Sequence, residues 1–194
     1  MFSAQIANEK TNWDEIVDVL KVMENGRWTG VYTYDHLIPP LSSTSDVKDF
    51  ELDDTLERWS LLASIAAVTK KLKLGVLVTG VTYRNPALLA KMAATIDVIS
   101  KGRVILGIGA GWNIREHEAY GWDFPPINER SDRLEEAAEL IKKLFNSTGR
   151  VNYQGQHYQL KEASFCPRQG GSRPIPIMIG GKGEKRTLKT LAKY

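Results

Sequence analysis

Arg103-Val-Ile-Leu-Gly-Ile-Gly-Ala-Gly-Trp112 ends a stretch, Leu72 to Gly111, that reads as strand, helix, strand. Working outward from it, Lys71 to Val81 carries a β-rich run (Leu74, Val76, Leu77, Val78) that ends in Thr79-Gly80. Asn85-Pro86 then opens a helix, with Asn85 as N-cap and Pro86 at the first position, where no amide donor is needed. Leu88, Leu89, Met92, Ile96 and Ile99 recur at helical spacing. Lys101-Gly102 closes the helix, because glycine is the usual residue just past a helix end. Arg103 to Ile108 is the next strand. Two strands joined by a crossover helix run parallel, and the connection is right-handed. In such sheets and barrels ligands sit beyond the carboxyl ends of the strands. Here those ends are Thr79-Gly80 and Gly107 to Trp112.

The flanking sequence repeats the pattern. Phe2 to Ala7 is a first strand. Asn12-Trp-Asp-Glu15 is a capping box before a helix whose apolar face is Trp13, Ile16, Val17, Leu20 and Met23. Trp28 to Tyr34 is a second strand, with Asp35-His36 at its carboxyl end. Leu37 to Phe50 reads as a long loop, of the kind that is often a functional lid. Asp54-Thr-Leu-Glu57 is a second capping signal. It leads into a helix with Leu56, Trp59, Leu62, Ala63 and Ala66 on one side. After Trp112, residues 113–129 read as an insertion loop. Arg130 to Phe145 is an amphipathic helix, Val151 to Leu160 a small hairpin and Pro174 to Ile179 a fifth core strand. Gly180-Gly-Lys-Gly183 leads into a last helix. Strand and helix alternate about five times, which means α/β with a parallel sheet, either open and doubly wound or part of an eight-stranded barrel. A complete barrel takes about 250 residues. This chain has 194 and would end after the fifth barrel strand.

The composition is 42% hydrophobic and 25% charged, as in a globular domain with a substantial core. A net charge of +3 from mixed signs, with no basic stripe interleaved with aromatics, gives no sign of nucleic-acid binding. No apolar run reaches membrane-spanning length, and no signal peptide is indicated. Cys166 is the only cysteine, so no internal disulfide forms, which fits a cytoplasmic protein. It reads as a small loop residue.

Three groups of residues carry chemical meaning. Gly107-x-Gly109-x-Gly111 follows a strand, but Trp112 stands where the GxGxxG fingerprint needs its third glycine, and no helix follows at once. Close approach of a ligand to this strand end is the preferred reading. Packing against a neighbouring backbone is the alternative. Gly180-Gly181-Lys182-Gly183 opens a helix, where free amides with Lys182, Lys185 or Arg186 make an anion site, or else an ordinary turn. It is not a Walker loop. Asp35-His36 puts an acceptor and a titratable imidazole at the functional end of a strand, with a satisfied structural histidine as the alternative reading. His117 and His157 show no metal-ligand spacing with His36. Glu116 and Glu118 read as solvated.

The chain also resembles a known family. Thr82-Tyr-Arg-Asn-Pro-Ala-Leu-Leu-Ala-Lys91, Asp97 through Trp112, Glu118-Ala-Tyr-Gly121, Arg130-x-x-Arg133-Leu-Glu-Glu136 and Pro176-Ile-Met-Ile-Gly-Gly181 resemble the bacterial-luciferase-like oxidoreductases, over nearly the whole chain. Asp35-His36 and the Gly-Ala-Gly-Trp turn resemble the branch that uses coenzyme F420, an 8-hydroxy-5-deazaflavin, more than the flavin mononucleotide (FMN) branch. The resemblance implies a (β/α)8 TIM barrel, here with about the first five β/α units, so that residues 1–194 form one domain truncated at its C-terminus. A truncated barrel leaves two strand edges open to pairing.

It also implies hydride transfer between the deazaflavin and a small organic substrate, and a homodimer. A non-prolyl cis peptide at Val76-Leu77 would back the ring, with Thr79 on the same wall. Asp35 and His36 would lie near the reacting ring, His36 as proton donor or acceptor. Gly109, Ala110 and Gly111 would border the ring pocket, and Gly180, Gly181 and Gly183 would hold the cofactor phosphate. Sugar-6-phosphate dehydrogenases of this family carry a glutamate general acid where Trp112 stands, so that activity is not implied. An FMN monooxygenase and a non-catalytic flavin-binding or partner subunit are the alternatives.

Overall fold

The computed structural model describes residues 2–39, 54–167, 170 and 173–194. Its elements in order are β1 (Phe2–Gln5), α1 (Trp13–Asn25), β2 (Trp28–Thr33), α2 (Arg58–Val68), β3 (Lys73–Val76), β4 (Thr79–Gly80) and α3 (Pro86–Ser100). Then follow β5 (Val104–Gly109), α4 (Ile114–Tyr120), α5 (Ile127–Phe145), β6 (Val151–Gln154), β7 (Gln159–Ala163), β8 (Ile177–Gly180) and α6 (Arg186–Lys193).

Every pairing in the main sheet is parallel. β1 pairs with β2, β2 with β3, β3 and then β4 with β5, and β5 with β8. Neighbours in space are therefore neighbours in sequence, as expected when each crossover helix lays the next strand beside the last. These strands form five consecutive staves of one parallel sheet, which does not close on itself among the described residues. β3 and β4 share the third stave. Leu74 pairs with Val104 and Thr79 with Ile108, so five steps along the third stave match four along β5. The extra residue lies in the Val76–Val78 segment and turns the end of the stave out of the regular pleat.

The local signals act where the sequence places them. Asn12 and Glu15 form the reciprocal capping box of α1. Asn85 accepts from the Ala87 amide with Pro86 in the first turn of α3. α2 instead starts after Glu57, whose carboxylate accepts from the Trp59 and Ser60 amides. Thr55 belongs to an isolated bridge with Glu9. The alanines of α3 (Ala90, Ala93, Ala94) and α5 (Ala137, Ala138) are buried where the two helices pack, together with Leu89, Leu106, Leu134 and Ile141. At the amino ends of the strands Arg103 ties the bottom together, donating to the carbonyls of Ala66, Thr69 and Leu72 at 2.9, 2.8 and 2.7 Å.

The expected insertion loop at 113–129 is largely helical. α4 occupies Ile114–Tyr120, closed by Gly121 in the left-handed conformation (φ +68°). α5 begins at Ile127, three residues before the expected Arg130, with Pro126 as its N-cap. Most of the expected loop Leu37–Phe50 lies outside the described residues.

Candidate active site

The carboxyl ends of β2, of the third stave and of β5 surround a cavity of about 170 Å³. It is lined by Tyr34, Asp35, His36, Leu77, Val78, Gly80, Tyr83, Gly111 and Trp112. This is where a parallel α/β sheet presents its functional face. Of the expected residues, Asp35, His36, Leu77 and Gly111 meet here. Thr79 is fully buried behind them and accepts a hydrogen bond from Trp59 Nε1 at 3.1 Å.

The non-prolyl cis peptide joins Leu77 to Val78, one bond later than expected from the family pattern. The wall it belongs to depends on glycines. A Cβ at Gly107 would lie 2.1 Å from the Val76 carbonyl oxygen. One at Gly109 or Gly180 would lie 2.8 Å from Val78 methyl carbons. These glycines let Val76–Val78 sink against the sheet. Gly107 and Gly109 thus allow close approach of that segment, whereas a Cβ at Gly111 would meet Thr82 Oγ1 at 2.7 Å. Of Gly109, Ala110 and Gly111, expected to border the ring pocket, only Gly111 lines the cavity. Val76 is fully buried in the core, and Leu77 is 40% exposed at the cavity edge.

Two polar networks support the end of β2. In the first, Arg84 donates to both oxygens of Asp35, at 2.5 and 3.3 Å, and to Glu57 at 2.7 Å. Burial pushes the Asp35 carboxyl above the ordinary carboxylate range, against the opposing effects of Arg84 and a hydrogen bond with Thr79. Arg58 is also fully buried. It donates to the Tyr34 carbonyl, stacks 4.8 Å over the Tyr34 ring and reaches the His36 carbonyl at 3.4 Å. Burial lowers its pKa to about 10, although Asp35, Glu9, Glu57 and Glu116 oppose the shift.

The second network centres on Glu116 of α4, which is fully buried and not solvated as the sequence suggests. Its Oε2 lies 2.8 Å from His36 Nδ1 and accepts from the Tyr83 hydroxyl at 2.5 Å. Its Oε1 accepts from the Leu37 and Ile38 amides at 2.5 and 3.3 Å. Burial raises the Glu116 pKa. The hydrogen bonds from His36 and Tyr83, the charge of His36 and the Leu37 amide outweigh it, so the net shift is downward. Burial and the bond to Glu116 push the Tyr83 phenol well above its ordinary value. Trp112 meets the His36 ring edge-on at 5.2 Å and is 62% exposed at the mouth.

His117, expected in a loop, is a buried helix residue. Its ring nitrogens bond Asn113 O at 2.7 Å and Thr82 Oγ1 at 2.8 Å. Glu118 is exposed. Among the described residues, no group of histidine, cysteine, aspartate and glutamate is placed to hold a metal. Gly180 abuts Val78, while Gly181 and Gly183 face Thr187 of α6. Arg186, one candidate for the anion site, turns away to Asp132 and Asn128 of α5.

Sequence reading missed Glu116, Tyr83, Arg84 and Arg58. Gly121 as a helix stop and the Asn113-x-x-Glu116 spacing, like that at Asn12–Glu15, were the available signals for α4. Nothing local shows that Glu116 meets a histidine eighty positions away.

A family model for luciferase-like monooxygenase matches residues 2–194. An F420-dependent glucose-6-phosphate dehydrogenase of Amycolatopsis mediterranei (strain U-32) is 37% identical over 139 residues, 70% of this chain and 39% of that protein. Pyrimidine monooxygenase RutA of Allorhizobium ampelinum is 34% identical over 141 residues, 72% of this chain and 37% of that protein. The structure of a coenzyme F420 dependent tetrahydromethanopterin reductase from Methanopyrus kandleri superimposes with a TM-score of 0.76 at 23% identity, over 100% of this chain and 53% of that one. A riboflavin lyase structure gives a TM-score of 0.80 at 16% identity, over 97% and 51%. At these identities the structural likeness is one of fold alone. The chain spans about two-fifths of these curated relatives and about half of these solved structures. With the family model matched along the described sheet and helices, the chain belongs to the luciferase-like monooxygenase family.

Proposed function

We propose that this protein is an F420-dependent oxidoreductase that transfers hydride between the deazaflavin and a small organic substrate. One observation carries the reading. At the carboxyl ends of the strands, His36 is anchored through Nδ1 to Glu116 and borders the cavity, and its second ring nitrogen bonds no other described residue. A titratable group held within reach of a reacting centre is what general acid–base catalysis needs.

The cavity suits one edge of a flat, largely apolar ring. Leu77 and Val78 form one wall and Trp112 another. The Val78 side chain is drawn into the sheet by Gly107, Gly109 and Gly180, which keeps that wall low. When bound, the deazaflavin supplies the hydride donor or acceptor. The residues that would hold it are Leu77, Val78 and Gly111 at the ring, and Gly180, Gly181 and Gly183 at the phosphate. Arg84 and Thr79 hold Asp35, the neighbour of His36 at the strand end. His36 gives or takes the proton that balances hydride transfer. Trp112 takes the place of a carboxylate beside His36, so a sugar phosphate is not the proposed substrate.

The F420-dependent relative supports this cofactor. Similarity to pyrimidine monooxygenase RutA favours a second reading, a flavin-dependent monooxygenase on the same scaffold. The test is hydride transfer, followed by loss of deazaflavin absorbance with a panel of small alcohols and by its gain when reduced deazaflavin is offered small carbonyls, with wild type and His36→Ala. Turnover by wild type, reduced about 10²–10⁴-fold in the variant with cofactor binding retained, supports the proposal. Cofactor binding with no turnover in either protein supports a non-catalytic flavin-binding subunit instead.

A further inference from the structure

We propose that Glu116 is a positioning residue that locks the neutral His36 ring in its Nδ1–H form, so that the cavity receives an unprotonated Nε2. This rests on the reading of His36 as the proton-transferring group and adds how its proton is placed. Three donors and one imidazole nitrogen converge on one carboxylate. The Leu37 and Ile38 amides lie 2.5 and 3.3 Å from Oε1, and the Tyr83 hydroxyl lies 2.5 Å from Oε2. The fourth group is His36 Nδ1, at 2.8 Å from Oε2. An ionised carboxylate only accepts. A bare Nδ1 would set two lone pairs against each other at a fully buried oxygen, and an unmade bond there is costly. The proton of the neutral ring therefore sits on Nδ1.

The same carboxylate holds the backbone just beyond the histidine. Ring and main chain are fixed by one group on α4, a helix that contributes no strand to the sheet. Trp112 at 5.2 Å and Tyr34 at 5.8 Å bound the ring on other sides. When Nε2 takes a proton from a molecule in the cavity, the imidazolium forms directly against the Glu116 carboxylate. When it returns that proton, the neutral Nδ1–H form is restored.

The change Glu116→Gln turns this logic around. The two backbone amides still need an acceptor, so the carboxamide oxygen stays with them. Its NH₂ then faces Nδ1, which must accept, and the ring proton moves to Nε2. Two-bond ¹H–¹⁵N correlation spectra of ¹⁵N-histidine-labelled protein at mildly alkaline pH read this directly. His36 is identified by the signal missing in His36→Gln, among only three histidines. In wild type the expected His36 pattern is a protonated-type Nδ1 and a bare-type Nε2. In Glu116→Gln the pattern is expected to reverse, with kcat down about 10²–10⁴-fold and cofactor affinity within about twofold of wild type. Tyr83→Phe, which leaves Oε2 to His36 alone, is expected to keep the wild-type pattern. A protonated Nε2 and bare Nδ1 in neutral wild type would overturn the proposal without any variant. So would an unreversed pattern in folded Glu116→Gln. Reversal without turnover in either protein would uphold the positioning role and overturn the oxidoreductase reading.

Discussion

Glu116 and His36 stand eighty positions apart in the chain and 2.8 Å apart in space, carboxylate to Nδ1, at the carboxyl end of β2. The contact joins a short helix after β5 to the strand end expected to carry the chemistry. It also makes the segment after Trp112 part of the site.

Acid titration of stability reports on that carboxylate. The Glu116 pKa is lowered from an ordinary value of 4.5. A lowered carboxylate adds stability above its unfolded value and loses it as pH falls through the folded one. Asp35, raised by burial, acts in the opposite sense, favouring the fold at low pH and losing that contribution as pH rises. Urea midpoints followed downward from pH 7 should therefore fall more steeply below about pH 4.5 in wild type than in Glu116→Gln. Asp35 is common to both proteins, so the difference reports on Glu116 together with its contact to His36. Parallel curves would contradict the assignment.

Asp35 and Arg84 form a buried pair, with side chains 1% and 15% exposed. Asp35→Ala leaves Arg84 with Glu57 alone, and Glu57 is more exposed. Breaking one side of such a pair costs about 3–5 kcal/mol. The expected loss, read from denaturant unfolding, lies at the lower end because Glu57 still compensates in part. A change below about 1 kcal/mol, as for surface pairs, would mean that the pair contributes little.

Gly180 and Val78 should behave as one unit. A methyl group at position 180 would lie 2.8 Å from both Val78 methyl carbons. Gly180→Ala should cost about 1–3 kcal/mol by overpacking. Val78→Ala removes the obstacle, so the double variant should be less destabilised than the sum of the singles, by more than about 0.5 kcal/mol. Additivity would show that the backbone moves aside instead.

Much of the fold was legible because it rests on local rules. The capping box at Asn12 and Glu15, the Asn85-Pro86 start of α3 and the alternation of apolar runs all report on neighbours in the chain. α4 escaped because its buried face is polar, Glu116 and His117, and polar residues between apolar segments read as loop. The start of α5 escaped because Pro126 caps it without a side-chain acceptor. The glycines of β5 were legible as lying toward the carboxyl end of that strand. What they accommodate is set by the Val76–Val78 segment, and no pattern in either strand alone shows how that segment packs. Asp35 and His36 were legible as a strand-end pair. Their partners Arg84, Tyr83 and Glu116 come from other elements, and such contacts exist only once the sheet is assembled.

The central claim is that the strand-end cavity bordered by His36 and Trp112 takes the deazaflavin ring. Titrating the protein into coenzyme F420 while following deazaflavin fluorescence, with FMN as competitor, tests it most directly. A saturable change is expected that FMN displaces poorly and that Trp112→Ala weakens, because Trp112 forms one wall of the cavity. No saturable change with F420, or tight binding of FMN in its place, would contradict it.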